Sequence, residues 1–90
     1  MPEKTATIKN PLGIHARPAA LLVQAAARFT ADIYFSKGDI GEVNGKSIMG
    51  VMMLAAEQGA QVTVRADGED AEAAVEALVG LLESIFEEPS

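Results

Sequence analysis

The sequence predicts an α+β layer sandwich of order βαββαβα, with helices on one face of a small antiparallel sheet. Three observations predict it. Four short stretches alternate apolar and polar residues, as half-buried strands do. Between them lie two amphipathic helical stretches and one short apolar run headed by a serine. The second and third strands are joined by only a few turn residues, too few for a parallel crossover.

Taken in order, residues 5–9 alternate small or β-branched side chains with Ile8 and read as the first strand. Asn10-Pro11-Leu12-Gly13 supplies turn chemistry. Residues 19–29 form a helix whose apolar positions Leu21, Leu22, Ala25 and Phe29 fit spacings of three and four. Residues 32–36 form the second strand, with Ile33 and Phe35 on one face. Gly38-Asp39-Ile40-Gly41 reads as a tight hairpin into a third strand at residues 42–44. Ser47 heads the run Ile48-Met49-Gly50-Val51-Met52-Met53-Leu54, a short helix ending before Gly59. Residues 61–65 alternate Val62 and Val64 with polar side chains and give the fourth strand. Over residues 70–86, Ala71, Ala74, Val75, Leu78, Leu82 and Ile85 trace one helical face, and Glu72, Glu76 and Glu83 the opposite one.

Composition narrows the function. The 90 residues are expected to form one domain spanning 1–90, with 49% apolar residues to fill its core. No apolar run approaches the ~18 residues of a membrane span, and Met1-Pro2-Glu3-Lys4 lacks the core of a secretory signal. With no cysteine, the expectation is a cytoplasmic protein without disulfides or thiolate metal sites. The net charge is −6 and unevenly spread, with every Lys and Arg at or before Arg65 and eight of the thirteen acids after it. Such a chain is a poor nucleic-acid binder, and its anion-handling surface belongs to the first two-thirds. No metal or nucleotide-binding motif is present, so no cofactor is expected.

Chemistry concentrates in Gly13-Ile14-His15-Ala16-Arg17-Pro18-Ala19, which contains the single histidine. Pro18 is suited to a first helical turn, where its missing N–H is no loss, so His15 lies at or just before a helix N-terminus. Such an end offers unpaired N–H groups and the positive pole of the helix dipole to an anion. The N–H of Ala16 or Arg17 can contribute to that cradle; Pro18 cannot. Arg17 adds a fixed cation with a planar fork of donors. An imidazole with a pKa near ~6.5 is largely neutral and nucleophilic at neutral pH. The pattern suits reversible phosphorylation of a histidine. Taken alone, a histidine at a helix start is more often a cap or a surface residue. Ser47 is likewise a favoured N-cap, which suffices to explain its presence.

The His15 segment, together with Asn44-Gly45-Lys46-Ser47-Ile48-Met49-Gly50-Val51-Met52, resembles the HPr family. Members are histidine-containing phosphocarriers of the bacterial phosphoenolpyruvate:sugar phosphotransferase system. The resemblance implies an open-faced β-sandwich, a four-stranded antiparallel sheet with three helices on one side. It implies a phosphocarrier rather than an enzyme, with a covalent phosphohistidine intermediate. Enzyme I, charged by phosphoenolpyruvate, would phosphorylate Nδ1 of His15, and IIA components of sugar permeases would receive the group. Arg17 would stabilise the phosphoryl group. Ser47 matches a serine that an ATP-dependent kinase/phosphorylase modifies in some members, adding roughly −1.5 to −2 charges and slowing transfer. The family's partner surface maps onto Leu12, Ala20, Gln24, Lys46, Ile48, Met49 and Met52, with Ile48, Met49 and Met52 expected to be exposed. Few basic residues lie on the first helix, so docking would rest on apolar contact, Arg17 and Lys46. A monomer is expected, since partners must reach the histidine. Two other readings stay open. One is a nitrogen-type or purely regulatory relay that binds a transcriptional regulator; the other is a ligand-binding or dimerisation module in which His15 is incidental.

Overall fold

The computed structural model describes residues 1–8, 14, 16–38, 40–54 and 56–85. Its elements run β1 (Glu3–Thr7), α1 (Ala16–Ala26), β2 (Asp32–Lys37), β3 (Ile40–Asn44), α2 (Ile48–Met53), β4 (Gln61–Asp67) and α3 (Ala71–Ile85). The expected order is thus the observed one. The four strands form one antiparallel sheet in the order β1-β4-β2-β3. Three helices cover one face, and the other is open. Lys9, the turn at residues 10–13, Asp39 of the hairpin and Phe86 lie outside the described residues.

The core follows from strand alternation. Ala6, Ile33, Phe35, Val62, Val64 and Ala66 point to the helical side and are buried. From above, α3 contributes Ala71, Ala74, Val75, Leu78 and Leu82, all buried as expected, while Glu72, Glu76 and Glu83 remain in solvent. The open face is polar. There Arg65 of β4 makes a bidentate ion pair with Glu42 of β3 while stacking 4.8 Å over the Tyr34 ring of the intervening β2. Thr5 and Thr63 share a hydroxyl hydrogen bond of 3.0 Å across β1 and β4.

Boundaries moved where long-range pairing overrides local pattern. β1 begins at Glu3 rather than residue 5, because Glu3 pairs with Arg65 and Lys4 with Val64 of β4. Ile8 lies just past the strand but is fully buried, its N–H donating to Ala60 O at 2.9 Å and its carbonyl accepting from Gly59 N–H at 2.7 Å. β3 begins at Ile40, not residue 42, since the hairpin pairs Lys37 with Ile40 around an irregularity after Phe35. α1 starts at Ala16, which puts Pro18 in its first turn. It ends at Ala26, where Arg28 N–H to Ala25 O and Phe29 N–H to Ala26 O tighten the chain into i→i−3 turns.

The buried stripe of α1 matches the expected one at Leu22 and differs from it elsewhere. Pro18, Ala19, Leu22 and Ala26 face the core, whereas Leu21 is 40% exposed and Ala25 and Phe29 are only partly buried. Both stripes satisfy a spacing of four. The neighbouring α2 and α3, against which α1 packs, cover the observed one.

One junction was invisible to local reading. Asp70, at the start of α3, accepts Thr30 N–H at 2.9 Å, Ala31 N–H at 2.9 Å and the Thr30 hydroxyl at 3.2 Å. It thereby fastens the α1–β2 connection. The Thr30 N–H foremost, then the Ala31 N–H and Thr30 hydroxyl, hold its carboxyl below the usual carboxylate range, against partial desolvation. A depressed folded-state pKa contributes stability that is full above the unfolded value of ~3.9 and is lost as pH falls through the folded one. Asp70→Asn is therefore expected to lower the thermal midpoint at pH 7. The gap to the parent should shrink progressively below about pH 4; a gap that stays constant across a calorimetric pH series would contradict this role.

Candidate functional site

His15 lies outside the described residues, but both of its covalent neighbours are placed. Ile14 is buried at 8% exposure and its N–H donates to Ala56 O at 2.8 Å, just past α2. Ala16 opens α1, and Ala16 and Arg17 are exposed. The first turn of α1 holds no acidic side chain, so nothing there neutralises the positive end of the helix.

A second tie lies at the other end of α1. Lys46, just before α2, donates its Nζ to Phe29 O at 2.7 Å, just beyond α1. With the Ile14–Ala56 bond, this sets α1 and α2 against each other head to tail. Lys46 is half-buried and gives one of its three ammonium donors to that carbonyl, so it straps α1 to α2.

The segment 44–50 is built as a cap. Asn44 Oδ1 accepts Lys46 N–H at 2.9 Å, and Asn44 O accepts Ser47 N–H at 3.2 Å. Ser47 is in extended conformation, φ −117° and ψ 120°, and its Oγ accepts Gly50 N–H at 3.1 Å. The expected N-cap is thus present. Gly45 is required by close approach, because a Cβ there would meet Ile33 Cγ2 at 2.6 Å. At Gly50 a Cβ would press on Asn44 O at 3.1 Å. Ser47→Ala removes the cap and is expected to lower stability by about 1 kcal/mol in denaturant titration. Ser47→Asp keeps a capping oxygen and should stay within a few tenths of a kcal/mol of the parent.

Beyond the cap, α2 buries Val51 and leaves Ile48 (46%), Met49 (77%) and Met52 (44%) exposed, as the sequence suggested. Ala20 is partly buried and Gln24 exposed on α1; Leu12 lies outside the described residues. Two exposed apolar residues were missed: Met53 at 69% and Leu21 at 40%. Met53 stands four residues from Met49, and Leu21 three from Gln24, so helical spacing alone could have placed each beside its neighbour. Among the described residues no group of three or more His, Asp or Glu could hold a metal, and no helix is long and apolar enough to cross a membrane.

Comparison with known proteins places this arrangement. Residues 2–84 match the family model described as the PTS HPr component phosphorylation site. The chain belongs to the PTS HPr family. The phosphocarrier protein HPr of Xylella fastidiosa is 51% identical over 98% of this chain and 98% of its own. The HPr-like protein Crh of Halalkalibacterium halodurans is 47% identical over 92% of this chain and 98% of its own. Among solved structures, that of HPr-C-His from Thermoanaerobacter tengcongensis superposes with a TM-score of 0.89 at 50% identity, covering 100% of both chains. The chain is therefore an HPr phosphocarrier of the phosphotransferase system, not a catalytic enzyme. Its open-faced sandwich is the HPr fold. Membership removes the reading of a module unrelated to this family.

Proposed function

We propose that His15 is the phosphoryl acceptor, taking the group on Nδ1 from phosphoenolpyruvate-charged enzyme I and passing it to IIA components of sugar permeases. The observation that supports this reading is the match of residues 2–84, a span that includes the single histidine of the chain, to a family described by its phosphorylation site. The placed flanks are compatible with it. Ile14 is anchored on one side and α1 opens on the other, with an acid-free first turn.

In the forward step the imidazole lone pair attacks phosphorus in line and the bond to the donor breaks as the P–N bond forms. Positioning and charge supply most of the rate. Arg17 neutralises the equatorial oxygens, and the N–H groups of Ala16 and Arg17 add donors. Partners dock on the face formed by Ala20, Leu21, Gln24, Ile48, Met49, Met52 and Met53, with Leu12 alongside. Lys46 acts by holding α1 and α2 in register. The carrier works as a single domain and as a monomer.

The test is incubation with enzyme I and labelled phosphoenolpyruvate. The label should be acid-labile and alkali-stable, and should map to tryptic peptide 10–28, because the Arg17-Pro18 bond resists trypsin. Acid-stable label, or label elsewhere, would overturn the assignment.

A second, regulatory reading is favoured by Ser47, whose hydroxyl oxygen already sits at the N-terminus of α2. A phosphate there would suit the helix pole while placing negative charge beside the apolar docking residues. ATP-dependent, acid-stable label lost in Ser47→Ala decides it. The same face could serve a nitrogen-type relay or a transcriptional regulator, and exchange of label with purified IIA proteins separates these cases.

A further inference from the structure

Two turns of helix in α2 present three thioethers to solvent. Met49 is 77% exposed, Met53 69% and Met52 44%. The helix is seated through Val51, and through Leu54 immediately after it, both fully buried. Its start is fixed by the Ser47 cap and the Lys46 strap. None of these anchors uses a sulfur. The chain has no cysteine, so its four thioethers are its only sulfur groups. The fourth, Met1, is 66% exposed but sits against the Arg65 guanidinium on the open sheet face.

We propose that Met49, Met52 and Met53 form an oxidation-sensitive patch through which a hydroperoxide turns off docking. This rests on the docking role of α2 given above. A sulfur lone pair attacks the terminal peroxide oxygen, the S–O bond forms as the O–O bond breaks, and the departing oxygen takes up the proton and leaves as water from hydrogen peroxide or as an alcohol from an alkyl hydroperoxide. The sulfide loses two electrons and the peroxide gains them. The product sulfoxide is a strong acceptor on a surface that must shed water to bind, and burying it without a donor is unfavourable. A dithiol reverses the step, becoming a disulfide while the sulfoxide oxygen leaves as water. Because α2 is anchored without these sulfurs, the change alters its surface and leaves the fold in place.

The protein is treated with hydrogen peroxide, added oxygens are mapped by mass spectrometry, and the rate of enzyme I-dependent phosphorylation is followed. Oxygen should appear on Met49 and Met53 ahead of Met52. The rate at low carrier concentration should fall roughly tenfold with no shift in thermal midpoint, and methionine sulfoxide reductases with dithiothreitol should restore it. A full rate with all three sulfurs oxidised would overturn the proposal. So would an equal fractional loss in the Met49→Leu/Met52→Leu/Met53→Leu variant, which retains only Met1. Met49→Glu separates the two readings, since it places charge on the same surface without oxidation. If Met49→Glu is phosphorylated at the parent rate, the docking assignment fails. If Met49→Glu is slow but the sulfoxide form is fast, only the oxidation proposal fails.

Discussion

His15→Ala is expected to accept no phosphoryl group from enzyme I, with an unchanged circular dichroism spectrum as the control for folding. His15 is the single imidazole of the chain, and the lysine and arginine side chains, protonated at neutral pH, offer no free lone pair to phosphorus, so no partial activity should survive. Arg17→Ala is a graded case. Arg17 is exposed at the opening turn of α1, where removal of one charged donor from a phosphoryl site is expected to slow transfer about 10–100-fold. Arg17→Lys should fall between, since an ammonium keeps the charge but not the planar fork. Initial rates with labelled phosphoenolpyruvate measure all three. Residual acid-labile label in His15→Ala would place the acceptor elsewhere.

Leu22→Ala should be the most damaging single truncation in α1. Leu22 is fully buried beneath the helix, and large-to-small changes at such sites remove about 2–5 kcal/mol. For a chain of this size that is a fall in Tm of roughly 10 °C or more. Leu21→Ala, one residue away, should change stability by less than about 1 kcal/mol because Leu21 lies at the surface. It should instead weaken docking and slow enzyme I-dependent phosphorylation at low carrier concentration. Equal losses of stability in the two variants would mean that the buried stripe of α1 is wrongly placed.

This pair also shows where sequence reading reaches its limit. α3 was legible because six apolar positions and three glutamates sort onto opposite faces, and only one orientation buries the first set. α1 was legible at Leu22 but ambiguous around it, because Leu21, Ala25 and Phe29 share the same spacing as Pro18, Leu22 and Ala26, so periodicity cannot choose between them. The Ser47 cap was legible because a capping serine bonds within three residues. The Asp70 clamp was not, since its partners Thr30 and Ala31 are about forty residues away and nothing local marks them. The same holds for β1, whose start is determined by its ladder with β4. Of the site, the residue types and their order were readable. The head-to-tail lie of α1 and α2 was not, because two hydrogen bonds between distant segments define it.

That lie has a consequence for the Ser47 regulation proposed above. Ser47 begins α2, whereas Ile14 is bonded to Ala56 beyond its far end. The six helical residues of α2 alone, which lie between Ser47 and Ala56, span about 9 Å. This is close to the screening distance of cytosol-like salt, about 8 Å at 0.15 M. If Ser47 carries the phosphate proposed above, its charge would thus reach Ile14 as a field thinned by mobile ions. Such a brake would have a volume control, tightening as ionic strength drops and slackening as it rises.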